Sequence, residues 1–163
     1  MKKIVLFVLA LCLSFAAIGT VLAETAAAEA PAAETPKAEM NAEELYQAGK
    51  AAKDAGDYEK AMEYLRPAAD LGYSEAIKEI GNLYSEGLGV EQDYQKAAEY
   101  YRRAADLGNT NAIHNLGNWY FYGLGAEQNV DEGLKYYRMA AEQGNPLSQC
   151  MLGSLYYYGM AVD

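Results

Sequence analysis

The segment AIKEIGNLYSEGLGVEQDYQKAAEYYRRAADLGNTN, residues 76–111, is followed directly by AIHNLGNWYFYGLGAEQNVDEGLKYYRMAAEQGNPL, residues 112–147. The two segments share glycine, alanine and tyrosine at a spacing of 36 residues, so that Gly81 recurs as Gly117 and Gly153. Such a period is typical of repeat proteins, in which each unit packs on its neighbours. The pattern predicts units at 45–75, 76–111 and 112–147 and a partial unit at 148–163. The first unit fits when four residues are removed from its central loop.

Each unit is predicted to form two helices. Ile77, Ile80 and Tyr84 fall on one face of a helix with a 3.6-residue period, and no segment alternates as a strand does. Short polar residues are expected to begin helices, and glycines to end the second helix of each unit. The predicted starts are Asp57, Asp93, Asn129 and Asn145, and the predicted ends are Gly72, Gly108 and Gly144. The fold class is therefore all-α, an α-α superhelix (solenoid) of tandem helix-turn-helix repeats.

The first 40 residues are predicted to precede the folded domain. Lys2 and Lys3 are followed by an apolar run that ends in a small-residue cleavage pattern at Ala23, so residues 1–23 are predicted to be a signal peptide. Residues 24–40 are rich in Ala, Glu and Pro and are predicted to form a disordered linker before the repeat domain at 41–163. The sequence thus predicts an exported protein, periplasmic or secreted, with no membrane span after cleavage of the signal.

Composition narrows the classes of partner and the source of stability. The chain has 13 basic and 23 acidic residues, a formal charge of −10, and the loss of Lys2 and Lys3 leaves 11 basic residues and a charge of −12. Because such a chain repels phosphate backbones, nucleic acid is not expected as a partner. Removal of Cys12 with the signal leaves Cys150 as the only thiol, so that packing rather than disulfides must stabilise the fold.

The recurring pattern AxxxLGxxYxxGxGVxxDxxKAxxYYxxAAxxG resembles the Sel-one-like repeat (SLR) family of α-solenoids, relatives of the tetratricopeptide repeats, from about Leu45 to Asp163. The first unit, with its shorter loop, resembles a true tetratricopeptide repeat more closely. The resemblance implies a curved stack of helical hairpins that binds a protein or peptide. Pro67 is expected to interrupt the end of one second helix, and Gly133 replaces an expected alanine at a cost of about 1 kcal/mol.

Catalytic and metal-binding motifs are not expected. GLGVEQ lacks the third glycine of a dinucleotide loop and follows a helix instead of a strand. His114 and Cys150 occupy equivalent positions, but packed helix axes lie about 8–10 Å apart, and zinc usually needs four close ligands. Neither a nucleophile elbow nor the Ser-x-x-Lys of penicillin-recognising enzymes occurs. Cysteine-rich members of the family have been linked to β-lactam binding, but they carry paired cysteines in each repeat. The sequence therefore predicts no catalytic residue, cofactor or metal.

The resemblance also implies that the first helix of each unit lines a concave groove. Carried over residue by residue, the lining is Tyr46, Lys50, Lys53, Lys78, Asn82, Ser85, Glu86, His114, Asn118, Phe121, Tyr122, Cys150, Ser154, Tyr157 and Tyr158. The candidate binding residues among them are Lys78, Asn82, His114, Asn118, Phe121, Tyr122, Tyr157 and Tyr158.

Two pairs of residues in this lining suggest how a ligand is bound. Lys78 and Asn82 match the Lys-x-x-x-Asn part of the tetratricopeptide carboxylate clamp, although the cations expected two repeats further on are missing. Asn82 and Asn118 equally fit a structural role in the repeat. Phe121 and Tyr122 stand where the preceding unit has Ser and Glu, and packing is not expected to require them. Together with Tyr157 and Tyr158, they are therefore predicted to be apolar anchors for a ligand.

The functional hypothesis is a non-catalytic scaffold that recognises a protein or peptide in this groove. The alternatives are a cell-envelope hydrolase or β-lactam-binding protein of the same family and a structural subunit of an envelope assembly. No second helix follows Tyr156, so the sequence is either a fragment of a longer repeat protein or docks through its open end on another chain. Self-association through this open end is a further hypothesis.

Overall fold

The chain folds into consecutive helical hairpins, which confirms the all-α prediction. The computed structural model describes residues 37–125 and 127–159, and within these ranges it contains helices and no strand. A short 3-10 helix at Lys37–Glu39 precedes seven α-helices. These are α1 (Ala42–Asp54), α2 (Tyr58–Asp70), α3 (Ser74–Glu86), α4 (Tyr94–Asp106), α5 (Thr110–Tyr122), α6 (Val130–Glu142) and α7 (Pro146–Tyr157).

The second helices begin and end at the predicted residues. The side chains of Asp57, Asp93 and Asn129 each accept a hydrogen bond from a backbone N–H of the first turn, which satisfies one unpaired donor. Gly72, Gly108 and Gly144 follow the last turns with φ of 82°, 81° and 84°, a left-handed conformation that glycine adopts without strain. The predicted starts and ends of these helices are therefore confirmed.

Within each unit, a glycine on the first helix makes room for a large side chain on the second. A Cβ added to Gly81 would lie 2.8 Å from Cε1 of Tyr101, and one added to Gly117 would lie 2.6 Å from Cδ1 of Tyr137. The tyrosine ring thus occupies the space that a side chain on the first helix would fill. This contact sets how closely the two helices of a unit approach each other.

The loops that join the two helices of units 76–111 and 112–147 are braced in the same way. Gly87 and Gly123 end the first helices with φ of 69° and 70°. The side chain of Gln92 then donates a hydrogen bond to the carbonyl of Ser85, and that of Gln128 donates to the carbonyl of Phe121, both at 2.8 Å. The brace satisfies a carbonyl that the helix end leaves unpaired.

The structure departs from the predictions at the N-terminal end of the described residues and at Pro67. The predicted signal peptide and most of the predicted linker lie outside the described residues. The prediction of disorder up to residue 40 is wrong for its last residues, because Lys37–Glu39 form a 3-10 helix and Met40 packs against the core. The prediction that Pro67 interrupts its helix is also wrong, since α2 continues to Asp70. Among the described helices, none is long and apolar enough to cross a membrane.

Candidate functional site

A crevice of about 300 Å³ lies between α3 and α5, the first helices of two successive units. Side chains from both helices form its walls, and the start of α4 and the loop after α5 complete it. The lining residues are Asn82, Ser85, Glu86, Tyr94, Tyr101, Asn115, Asn118, Trp119 and Leu124. The predicted groove residues Asn82 and Asn118 are thus brought together at one site.

Three aromatic side chains form the apolar part of the crevice. Trp119 packs edge-on against Tyr94 and Tyr101, with ring centroids 5.4 and 5.9 Å apart. Trp119 and Tyr101 are each only 4% exposed, so most of their surface stabilises the core. Gly125, at φ +79°, lies against Tyr94, where an added Cβ would clash with Cβ of Tyr94, and its carbonyl accepts a hydrogen bond from Gln95. The aromatic wall is therefore held rigidly from several sides.

Asn82 holds the two helices of its unit together. Its Oδ1 accepts hydrogen bonds from the Tyr101 hydroxyl at 2.8 Å and from Nδ2 of Asn115 at 3.3 Å, and its Nδ2 donates to Glu79 at 3.2 Å. Asn118 repeats part of this arrangement, because its Oδ1 accepts from the Tyr137 hydroxyl at 2.7 Å. The structural role that the sequence left open for these asparagines is therefore present in both units.

Two amide groups of the crevice remain available for a ligand. Nδ2 of Asn118 and Oδ1 of Asn115 form no hydrogen bond with any residue that the structure describes. One is a donor and the other an acceptor. A peptide group also offers one acceptor and one donor, so the two amides can satisfy a segment of extended main chain.

Glu86 supplies the only charged side chain in the crevice lining. Its carboxylate is exposed and makes no hydrogen bond or ion pair with any described residue. The pKa of the neighbouring Tyr101 hydroxyl is raised to about 12, first by burial and then by the negative charges of Glu86 and Glu79, although the hydrogen bond with Ser85 opposes the shift. The crevice is therefore an electronegative site.

The predicted clamp residue Lys78 is engaged by the chain's own carboxylate. Glu79 forms ion pairs with Lys53 and Lys78, both at 2.5 Å, and accepts the hydrogen bond from Asn82. Burial favours a raised pKa for Glu79, but the two lysines outweigh it and lower the pKa. Lys78 and Asn82 of the Lys-x-x-x-Asn pattern thus bind the carboxylate of Glu79 instead of a ligand. The same ion pairs explain why Lys53 and Lys78 do not line the crevice.

The structure places His114 in the interior, which corrects the prediction that it is a groove or surface residue. Its Nδ1 lies 2.8 Å from the hydroxyl of Ser148 on α7, and its ring packs 5.5 Å from that of Tyr137. Burial lowers the pKa of His114, so the imidazole is neutral at pH 7. His114 therefore joins α5 to α7 instead of facing a ligand.

Phe121 is likewise part of the core, and the prediction that packing does not require it is wrong. The side chain is 7% exposed and clusters with Leu134, Tyr137 and Leu155. A Cβ added to Gly133 would lie 2.8 Å from the backbone nitrogen of Phe121. The glycine that replaces the expected alanine is thus explained by the close approach of α5 and α6 at this point.

The remaining predicted anchors are exposed but lie outside the crevice. Tyr122 is 54% exposed and packs edge-on against Phe121. Tyr157 and Tyr158 are 84% and 74% exposed and contact each other at a centroid distance of 5.1 Å. The described residues include no group of His, Cys, Asp or Glu side chains that could hold a metal ion, and Cys150 is exposed.

Sequence reasoning did not identify five residues of the crevice, which are Tyr94, Tyr101, Asn115, Trp119 and Leu124. The period assigns Tyr101 and Trp119 to the core, and they do stabilise it, while the small exposed part of each lines the crevice. Asn115 stands one unit after Glu79, so the repeat itself gives no hint of an amide there. Only the packing of α3 beside α5 shows that these residues share a site.

Comparison with known proteins agrees with this architecture. A protective antigen present in uropathogenic Escherichia coli strains, which displays an SLR fold, is 30% identical with a TM-score of 0.64 over 74% of this chain. A Sel1 repeat protein from Oxalobacter formigenes is 25% identical with a TM-score of 0.69 over 80% of this chain. The aligned regions cover 27% and 55% of those two chains, so this chain spans about a quarter and about half of their lengths.

Cysteine rich protein B from Helicobacter pylori shares the fold, with a TM-score of 0.55 at 22% identity over 72% of this chain and 98% of its own. No curated protein matches the sequence significantly. The model of the Sel1 repeat, in contrast, matches four consecutive segments, residues 42–73, 74–109, 110–145 and 146–163. The chain therefore belongs to the Sel1 repeat family.

Proposed function

We propose that this protein is an exported, non-catalytic scaffold that binds a protein or peptide partner in the crevice between α3 and α5. Sel1 repeat proteins are typically scaffolds for protein interactions, which supports the general class. The observation that carries the proposal is the pair of free amide groups on Asn115 and Asn118, set beside an aromatic wall. Such a pair suits the main chain of an extended segment, and the rings suit its side chains.

The small volume and the openness of the crevice favour a polypeptide over a small cofactor. A volume of about 300 Å³ lies at the lower end of the range of small-molecule sites, and the crevice is open to solvent along the helices. A partner that continues beyond the crevice can add contacts on the exposed faces of α3 and α5. Nucleic acid is not proposed as a partner, because 23 acidic residues face 13 basic ones in this chain.

Capture of the partner tests the proposal. The mature protein and its Asn115→Ala variant are immobilised and exposed to a cell-envelope extract, and the retained proteins are identified by mass spectrometry. Asn115 donates a long hydrogen bond of 3.3 Å to Asn82 and also interacts with the Tyr101 hydroxyl, so circular dichroism of the variant verifies that its replacement leaves the fold intact. Gln47→Ala removes an exposed amide from α1 and is the matched control. The proposal predicts a partner that Asn115→Ala loses and Gln47→Ala keeps; equal retention by all three proteins contradicts it.

Export is a separate part of the proposal and has its own test. The charged start at Lys2 and Lys3, the apolar run and the cleavage pattern at Ala23 support it. Expression of the full chain is expected to give a mature protein that begins at Glu24 in the periplasm or the medium. An intact N-terminus on protein recovered from the cytoplasm contradicts this assignment.

We also propose that the exposed face of α7 associates with a second copy of the chain. Leu147 and Tyr157 on α7 and Tyr158 at its C-terminal end are exposed, and no described residue comes within 4 Å of a Cβ added to Gly153. At the equivalent Gly117, a tyrosine ring fills that space. Light scattering over a concentration series is expected to show a dimer that Leu147→Ser weakens. A monomer at every concentration rejects this proposal.

A further inference from the structure

We propose that the crevice between α3 and α5 accepts the cationic side chain of a lysine or arginine of the partner polypeptide. This inference rests on the proposed peptide-binding function and names the chemistry that the site selects. Three features of the described residues lead to it: an unpaired carboxylate, an aromatic wall, and free amide groups at the rim.

The unpaired carboxylate belongs to Glu86. It is the only charged group among the nine side chains that line the crevice, and no described residue pairs with it. Glu79, two turns earlier on the same helix, differs because two lysines neutralise it. Lys53 and Lys78 pair with Glu79 and not with Glu86, so the carboxylate of Glu86 has no ion-pair partner among the described residues. An incoming cation supplies the missing partner without a competing positive charge in the lining.

The aromatic wall suits the same group. Tyr94, Tyr101 and Trp119 all line the crevice, but Tyr101 and Trp119 are each only 4% exposed, so the half-buried ring of Tyr94 offers most of the aromatic surface. The negative face of such a ring attracts an ammonium or guanidinium group. The apolar stem of a lysine or arginine can pack on the same rings while its charged end reaches the carboxylate. An acidic side chain meets repulsion from Glu86, and a short apolar one leaves Glu86 unpaired.

The free amides fix the main chain that carries the cation. Nδ2 of Asn118 can donate to a peptide carbonyl, and Oδ1 of Asn115 can accept from a peptide N–H or from a guanidinium. At about 300 Å³, the crevice has room for one long side chain rather than a folded motif. The site therefore recognises one basic residue within an extended segment.

The single tryptophan of the chain makes this inference directly testable. Trp119 lines the crevice, so its indole N–H resonance in a ¹⁵N-labelled mature protein reports occupancy. The probes are four blocked nonapeptides of Gly and Ser that carry Arg, Lys, norleucine or Glu at the centre. We expect the Arg and Lys peptides to shift the resonance in a saturable manner that weakens as salt rises, and the norleucine and Glu peptides to cause no saturable shift.

Substitutions of Glu86 complete the test. Glu86→Gln is expected to weaken binding of the Arg peptide at least fivefold, and Glu86→Asp, which keeps the charge, to restore most of it. Glu99→Gln is the matched control, because Glu99 is an exposed carboxylate on α4 outside the crevice lining, and it is expected to leave the affinity unchanged. Circular dichroism of each variant verifies the fold.

Each contrary result has a distinct meaning. Equal binding of the norleucine peptide, an unchanged affinity in Glu86→Gln, or no shift with any probe at millimolar concentration overturns the inference. If partner capture still depends on Asn115 in that case, the proposed peptide-binding function stands and only the preference for a cation is wrong. If neither Asn115 nor Glu86 affects capture, both proposals fail.

Discussion

Replacement of Gly117 by alanine is expected to destabilise the domain, whereas the same replacement at Gly153 is expected to stabilise it. The two residues occupy equivalent positions on α5 and α7. A Cβ at Gly117 would lie 2.6 Å from both Cδ1 and Cε1 of Tyr137, while no described residue lies within 4 Å of one at Gly153. The sequence change is therefore identical and only the packing differs.

The magnitude follows from two opposing effects. Overpacking a filled site costs about 1–3 kcal/mol, and the upper end applies because the Tyr137 ring is fully buried and its hydroxyl is bound to Asn118. Alanine regains about 1 kcal/mol of helix propensity over glycine. We therefore expect Gly117→Ala to lower the free energy of unfolding by about 2 kcal/mol, and Gly153→Ala to raise it by about 0.5–1 kcal/mol.

Thermal unfolding followed by circular dichroism measures both changes. At about 4 °C per kcal/mol for a domain of this size, Gly117→Ala should lower Tm by about 8 °C and Gly153→Ala should raise it by about 2–4 °C. Urea unfolding at 25 °C gives the free energies directly. A shift of the same sign in both variants, or a Gly117→Ala protein as stable as the parent, refutes the packing that we describe.

Three further outcomes follow from the hydrogen bonds and charges of the domain. Because the pKa of His114 is lowered by burial, the free energy of unfolding should fall as pH drops below about 6.5, the unfolded-state value, and His114→Gln should remove this slope between pH 7.5 and 5.5 in urea titrations. Tyr137→Phe should cost about 0.5–1.5 kcal/mol in the same assay, since it removes the hydrogen bond to Asn118. Glu79→Gln should lower Tm, because the ammonium of Lys53 loses its ion pair, and an unchanged Tm would show that the network adds no stability.

The sequence predicts the fold well because the repeat encodes local structure redundantly. Helix starts such as Asp93 and ends such as Gly108 follow from hydrogen-bonding and backbone preferences that act within a few residues. The period then aligns equivalent positions, so that Gly81 and Gly117 mark the same kind of contact. These elements can therefore be predicted without knowing how one unit packs on the next.

The candidate site is less predictable because exposure depends on packing between units. His114 and Lys78 are equivalent in the repeat, yet Ser148 of α7 covers the histidine while Glu79 pairs with the lysine. Phe121 is buried within its own unit, where α6 approaches α5 at Gly133, and the expected alanine at that position gave no sign of so close an approach. The burial of His114 depends on the next unit and cannot be predicted from one unit alone.

Site-specific photocrosslinking tests the central claim, partner binding in the crevice between α3 and α5, most directly. A photoreactive phenylalanine analogue is placed at Asn115 in the crevice or at Gln47 on α1, and cells that produce each protein are irradiated. Binding in the crevice is expected to give a discrete protein adduct from position 115 that is absent, or far weaker, from position 47. No adduct from position 115, or equal adducts from the two positions, contradicts it.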